Sequence, residues 1–106
     1  MKVTKNLDGN VYTLAVEGRV DMLNSAEFQR ETESGVSKLT GKSGTFVIDF
    51  ADLKYISSAG LRVLLACHKQ MMGIGGKLSI INVIPSVMEI FEVTGFSDVL
   101  DIKEKA

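Results

Sequence analysis

The stretch DFADLKYISSAGLRVLLACHKQ, residues 49–70, decides the fold, because it runs from a buried strand through two serines into an apolar helix. Residues 45–50 (TFVIDF) form a short β-branched and aromatic run of the kind found in a strand buried on at least one face. Residues 51–56 read as a connector. From Ser58 onward, Leu61, Leu64, Leu65 and Met72 recur at helical spacing, and nothing before Gly73 stops the helix, so Ser57 or Ser58 is its N-cap. Gly60 falls in the first turn, where a helix former is the usual choice, and its missing side chain leaves room for another molecule to approach the backbone. A phosphate at this helix start faces unpaired backbone N–H groups and the positive end of the helix dipole, so adding or removing one is a local switch.

Outward from this segment the pattern alternates strand and helix. Asp8-Gly9, between residues 1–7 and the alternating residues 11–16, signals a hairpin of two antiparallel strands. Asn24 before Ser25-Ala26-Glu27 resembles a capping box, and Phe28, Thr32, Val36 and Leu39 lie along one face of a helix that Gly41 ends. That face is weakly apolar and predicts shallow packing. Residues 45–50, 58–72, 77–83 and 85–94 then alternate as strand, helix, strand and helix, and residues 100–103 add an edge strand. Pro85 suits the first turn of its helix, Val87, Ile90, Phe91 and Thr94 repeat at helical spacing, and Gly95 stops it. Short βα alternation calls for right-handed crossovers between parallel central strands, which makes the chain α/β.

Length and composition bound the rest. At 106 residues the chain is one domain, residues 1–106, and buries about two-thirds of its unfolded surface. With 12 basic and 13 acidic residues the formal charge is -1, which leaves no electrostatic footprint for nucleic acid or anionic lipid. A single cysteine, Cys67, closes no intramolecular bridge and fits a reducing cytoplasm. The N-terminal residues lack an apolar core of signal-peptide length, and no run approaches the roughly 18 apolar residues of a membrane span, so the chain is expected to be soluble and cytoplasmic.

Several chemical motifs fail. Gly41-Lys42-Ser43 has the tail of a phosphate-binding loop, but the glycine required five positions earlier is Val36, and the segment precedes a strand. Ser58 and His68 are separated by ten residues of one helix, about 15 Å along its axis, so the histidine is no base for that serine. His68 is the only histidine and sits beside the only cysteine, a spacing with no metal-ligand logic. Met71 and Met72 either finish a core stripe, the commoner role, or form part of an adaptable partner surface. Arg62, four residues after Ser58, lies one turn along on a similar face; it can pair with a phosphate on Ser58, with a carboxylate of a docking protein while the serine is free, or with solvent alone.

Serine caps any helix, so the pair alone signifies capping. The whole string carries more. Asp52-Leu53 followed by Tyr55-Ile56-Ser57-Ser58-Ala59-Gly60-Leu61 resembles the signature of the STAS domain, in particular of the single-domain anti-sigma factor antagonists of bacteria. Gly18-Arg19-Val20-Asp21, Gly75-Gly76-Lys77-Leu78 and VMEIFEVTGF at residues 87–96 resemble further landmarks of that family in the expected order, over roughly residues 11–102. The resemblance implies a single STAS-like α/β domain, with a four- to five-stranded mixed sheet, right-handed βα crossovers and helices mainly on one face. It places the loop after Gly18 beside the loop before Ser58 and so brings Asp21 near the serines. The family's phosphorylated serine maps onto Ser58. Where many members carry Asp this chain has Ser57, a rival acceptor, and Ala59 replaces a second serine.

By the same resemblance the chain is a ligand and substrate, not an enzyme, and needs no cofactor or metal. Unphosphorylated, it docks through Asp21, Ser57, Ser58, Ala59, Gly60 and Arg62 onto an anti-sigma factor that is also a serine protein kinase. Phosphorylation of Ser58 breaks the complex and a serine phosphatase restores it. The alternative is a STAS interaction subunit of a lipid transporter or stress-signalling complex without a phospho-switch.

Overall fold

Apolar and polar residues alternate along Val11–Val20 (β2), and Tyr12, Leu14, Val16 and Val20 are buried while the residues between them face the other side. In the computed structural model, which describes residues 1–106, this is the longest of six strands. Lys2–Asp8 (β1) pairs antiparallel with it across a turn in which Gly9 takes φ 61°. Thr45–Asp49 (β3) runs parallel to the first half of β2, and Leu53–Ile56 (β4) runs parallel to its end. Lys77–Val83 (β5) and Asp101–Glu104 (β6) continue the sheet in the order β1-β2-β3-β5-β6, parallel to β3.

Residues 51–56 are therefore not all connector. After a turn in which the Asp49 carboxylate accepts the Ala51 N–H at 2.9 Å, the chain returns to β2 as β4, which makes six strands where four or five were expected. Only Leu53 and Ile56 of the four are buried, so the strand is too short and too irregular to show a period of two. The irregularity has a partner. The register shifts between Gly18 and Arg19, where Gly18 takes φ 90°.

Three helices cover the sheet: Ser25–Leu39 (α1), Ser58–Gly73 (α2) and Pro85–Val93 (α3). The cross-strand row Tyr12, Phe46 and Leu78 and the row Leu14, Ile48 and Ile80 are at most 3% exposed, whereas Thr13, Val47, Ala15, Asp49 and Ile81 on the opposite face are only half-buried. The helices thus lie mainly on one face, as expected. Pro85 opens α3, Gly95 closes it at φ 81°, and a short 3₁₀ turn at Phe96–Asp98, which the pattern did not reveal, leads into β6. No helix is long and apolar enough to cross a membrane.

The packing of α1 is deep, contrary to its weakly apolar face. A Cβ on Gly35 would stand 2.4 Å from the Phe46 ring and 2.7 Å from the Tyr12 ring, which meet edge to face with centroids 5.2 Å apart. The helix backbone itself presses on the aromatic pair, and Phe28 and Leu39 close the ends of the contact at 0% exposure. Glycine substitutes proximity for apolar area. On the neighbouring helix Cys67 is 1% exposed, and burial pushes its thiol up to about 12.

Gly35→Ala gains about 1 kcal/mol of helix propensity but overpacks the ring pair by about 1–3 kcal/mol, so a net loss is expected, read as a lower urea midpoint at unchanged slope. For Cys67, the native state holds its proton above the pH at which the unfolded thiol releases it, near about 8.5. Stability from this group is complete below that pH and falls as pH rises towards about 12. Urea melts at neutral and alkaline pH should show a steeper alkaline loss for the native chain than for Cys67→Ala.

Candidate functional site

Parallel pairing brings β2 and β4 to an end side by side, with Val20 opposite Ile56. The next residues, Asp21 and Ser57, are consequently neighbours, and the Ser57 N–H donates to the Val20 carbonyl at 2.8 Å. Ser57 leaves in an extended conformation and its Oγ accepts the Gly60 N–H at 3.4 Å, while its carbonyl accepts the first helical bond from Leu61 at 3.0 Å. Ser57 is therefore the N-cap. Ser58 is the first residue of α2, exposed, with its hydroxyl bonded to nothing else in the chain.

Ala59 is half-buried beside it and Arg62 is exposed one turn further along. Both line a groove of about 240 Å³ between α1 and α2, together with Ser25, Gln29, Val63 and Ala66. Arg62 makes no ion pair; the one salt bridge of the chain, Lys5 to Glu31 at 2.8 Å, joins β1 to α1 elsewhere. Arg19 stacks over the Tyr55 ring at 4.5 Å on the paired strand ends below the serines. A hollow of similar size on α3, lined by Ser86, Glu89, Ile90, Val93 and Thr94, shares no residue with this corner.

Two expectations fail here. Gly60 is no opening for a partner. It is buried, and a Cβ there would stand 2.7 Å from Ile56 Cγ1 and 2.8 Å from Val20 Cγ1, so its hydrogen faces the strand ends and lets α2 start directly on them. Asn24 precedes α1 at the N-cap position but makes no side-chain cap. Its Oδ1 accepts the Asp21 N–H at 2.9 Å and its Nδ2 donates to the Arg19 carbonyl at 2.9 Å. The side chain turns back because Asp21 completes the exchange, its Oδ1 accepting the N–H groups of Leu23 at 3.0 Å and Asn24 at 3.2 Å.

That bonded turn, which follows directly on Asp21, holds Met22 and Leu23 out at 79% and 96% exposure. Sequence reading missed them, although two large apolar residues between an Asp and an Asn, both turn formers, are the available signal. Met71 and Met72 split, the first fully buried and the second 63% exposed.

The family model described as STAS domain matches residues 2–106. BtrV of Bordetella bronchiseptica, which carries the name of an anti-sigma factor antagonist, is 32% identical over 102 residues, 96% of this chain and 85% of the relative. The anti-sigma-B factor antagonist of Bacillus subtilis is 29% identical over 91 residues, 86% of this chain and 80% of the relative. The Bacillus anti-sigma factor antagonist SpoIIAA, solved unphosphorylated and phosphorylated, shares the fold at TM-scores of 0.78 and 0.70. Its identity to this chain is 14% and 13% in the two structures, each of which covers 95% of this chain and, respectively, 87% and 90% of the other.

The two serines are separable by stability. Ser57→Ala removes the cap and is expected to cost about 0.5–1 kcal/mol, whereas Ser58→Ala, which loses no bond, stays within about 0.5 kcal/mol of the parent in the same thermal or urea melts.

Proposed function

The chain belongs to the STAS domain family, and from that premise we propose that it is an anti-sigma factor antagonist whose hold on its partner is set by phosphorylation of Ser58. The observation that carries this reading is the division of labour between the serines. Ser57 is engaged as the cap and half-buried, so a kinase that takes Ser58 need not dismantle the helix start. The proposed partner is an anti-sigma factor, which the names of BtrV and the Bacillus subtilis relative support; that it is also the serine protein kinase is our own reading, and the existence of a phosphorylated SpoIIAA supports only the modification.

In this scheme the unphosphorylated protein docks by the corner formed by Asp21, Ser57, Ser58, Ala59 and Arg62 and displaces the sigma factor. The kinase then transfers the γ-phosphoryl group of ATP to Ser58 Oγ. The O–P bond to ADP breaks as the new one forms, and the hydroxyl proton leaves to a base of the kinase. A serine phosphatase hydrolyses the ester and resets the cycle. The chain serves throughout as ligand and substrate, not catalyst, in the cytoplasm where ATP is supplied.

The energy required is small. Phosphoserine brings nearly two negative charges, and a hundredfold loss of affinity corresponds to about 2.8 kcal/mol. Burying a dianion at an interface supplies that by desolvation, and by like-charge repulsion where the partner sets a carboxylate against it. The free protein tolerates the phosphate, since it meets the open N–H groups of the first helical turn. No refolding is involved.

The test is a titration of purified anti-sigma factor kinases from the source organism with the parent, Ser58→Ala and Ser58→Asp, with mass spectrometry of the peptide spanning residues 55–62 after incubation with ATP. Parent and Ser58→Ala should bind alike, Ser58→Asp about a hundredfold more weakly, and phosphate should appear on Ser58. Equal binding by all three overturns the switch; binding without phosphate transfer points to a STAS interaction subunit that docks by the same corner unmodified.

A further inference from the structure

Met22 and Leu23 contribute almost nothing to the interior. At 79% and 96% exposure they stand in water, yet the backbone that carries them is fixed by four hydrogen bonds of 2.9 to 3.2 Å among Arg19, Asp21, Leu23 and Asn24. A stiff loop that displays apolar side chains loses little freedom on association, which is the property of a binding anchor.

The turn joins two features. On one side Asp21 follows Val20, whose carbonyl holds Ser57. On the other, Ser25 begins α1 and forms a wall of the groove that Ala59, Val63 and Ala66 line from α2. Arg62 is the only charged residue lining that groove, and it has no carboxylate partner within the chain. The surface is thus an apolar projection beside a hollow bearing one uncompensated positive charge.

From this we infer that turn and groove form one docking surface for the anti-sigma factor, which encloses Leu23 and Met22 in an apolar recess and sets an Asp or Glu carboxylate against the Arg62 guanidinium. The unpaired cation selects an acidic occupant over a neutral or basic one. The inference rests on the reading of the chain as an anti-sigma factor antagonist. It also assigns a second action to the phosphate: on Ser58, one helical turn before Arg62, it draws the guanidinium to itself and withdraws the group that the partner's carboxylate uses.

The experiment takes the anti-sigma factor kinase that binds the parent chain in the titrations above. Leu23→Ser should weaken binding about 20-fold and Arg62→Glu about 50-fold, with melting temperatures unchanged because both side chains are exposed. Reversing the partner's acidic residue to Lys should restore the Arg62→Glu complex at least about tenfold. Arg62→Gln should narrow the affinity gap between Ser58-phosphorylated and unmodified chain, an effect that a merely structural arginine would not produce. If the parent binds and Leu23→Ser and Arg62→Glu both stay within about threefold of it, the inference is overturned while partner switching stands. If the parent binds no such kinase, the anti-sigma reading falls and takes the inference with it. A dimer of the free chain that Leu23→Ser dissolves assigns the surface to a second copy and overturns the proposal.

Discussion

A parallel pairing only a few residues long organises this molecule. β4 lies along the last turn of the pleat of β2, and the 2.8 Å hydrogen bond from Ser57 to Val20 closes it at the point where both strands stop. Everything at the candidate site follows from that closure. It sets Asp21 next to Ser57, it makes Ser57 the residue that must leave the sheet and cap α2, and it leaves Ser58 as the first side chain beyond the cap. The two glycines that flank the arrangement serve the same end. Gly18 absorbs the register shift in β2, and Gly60 removes the one Cβ that would hold α2 off the strand ends.

Most of the fold was legible because its signals are long. The hairpin, the alternating strands, the apolar stripe of α2 and the Pro85 to Gly95 helix each span enough residues for period to decide the type. What was hidden was short or depended on distant contacts. β4 buries only two side chains, which no periodicity can establish. The depth of α1 follows from Gly35 meeting Phe46 and Tyr12, residues distant in sequence. The side chain of Asn24 had two competing roles, helix cap or turn lock, and the carboxylate three residues earlier decided for the lock.

At the site the same limit applies. The string around Ser58 was readable, and so was the proximity of Asp21, but the serine that caps could be chosen only once the extended backbone of Ser57 was seen. Gly60 was misread because a glycine in a first turn signals close approach without saying by what. It is approached from inside. Met22 and Leu23 escaped notice since apolar residues in a loop carry no period, and their exposure is a property of the turn that holds them.

That turn has a consequence for how such proteins diversify. Its shape is fixed by Asp21, Asn24, the Ser25 hydroxyl that donates to the Met22 carbonyl at 3.4 Å, and main-chain atoms, so the side chains at 22 and 23 are decoupled from folding. On the docking proposed above, new residues there alter what the corner recognises at no cost to the scaffold, provided position 23 keeps its N–H. On the same proposal, a cell holding several copies of this scaffold insulates parallel circuits from cross-talk by changing two codons.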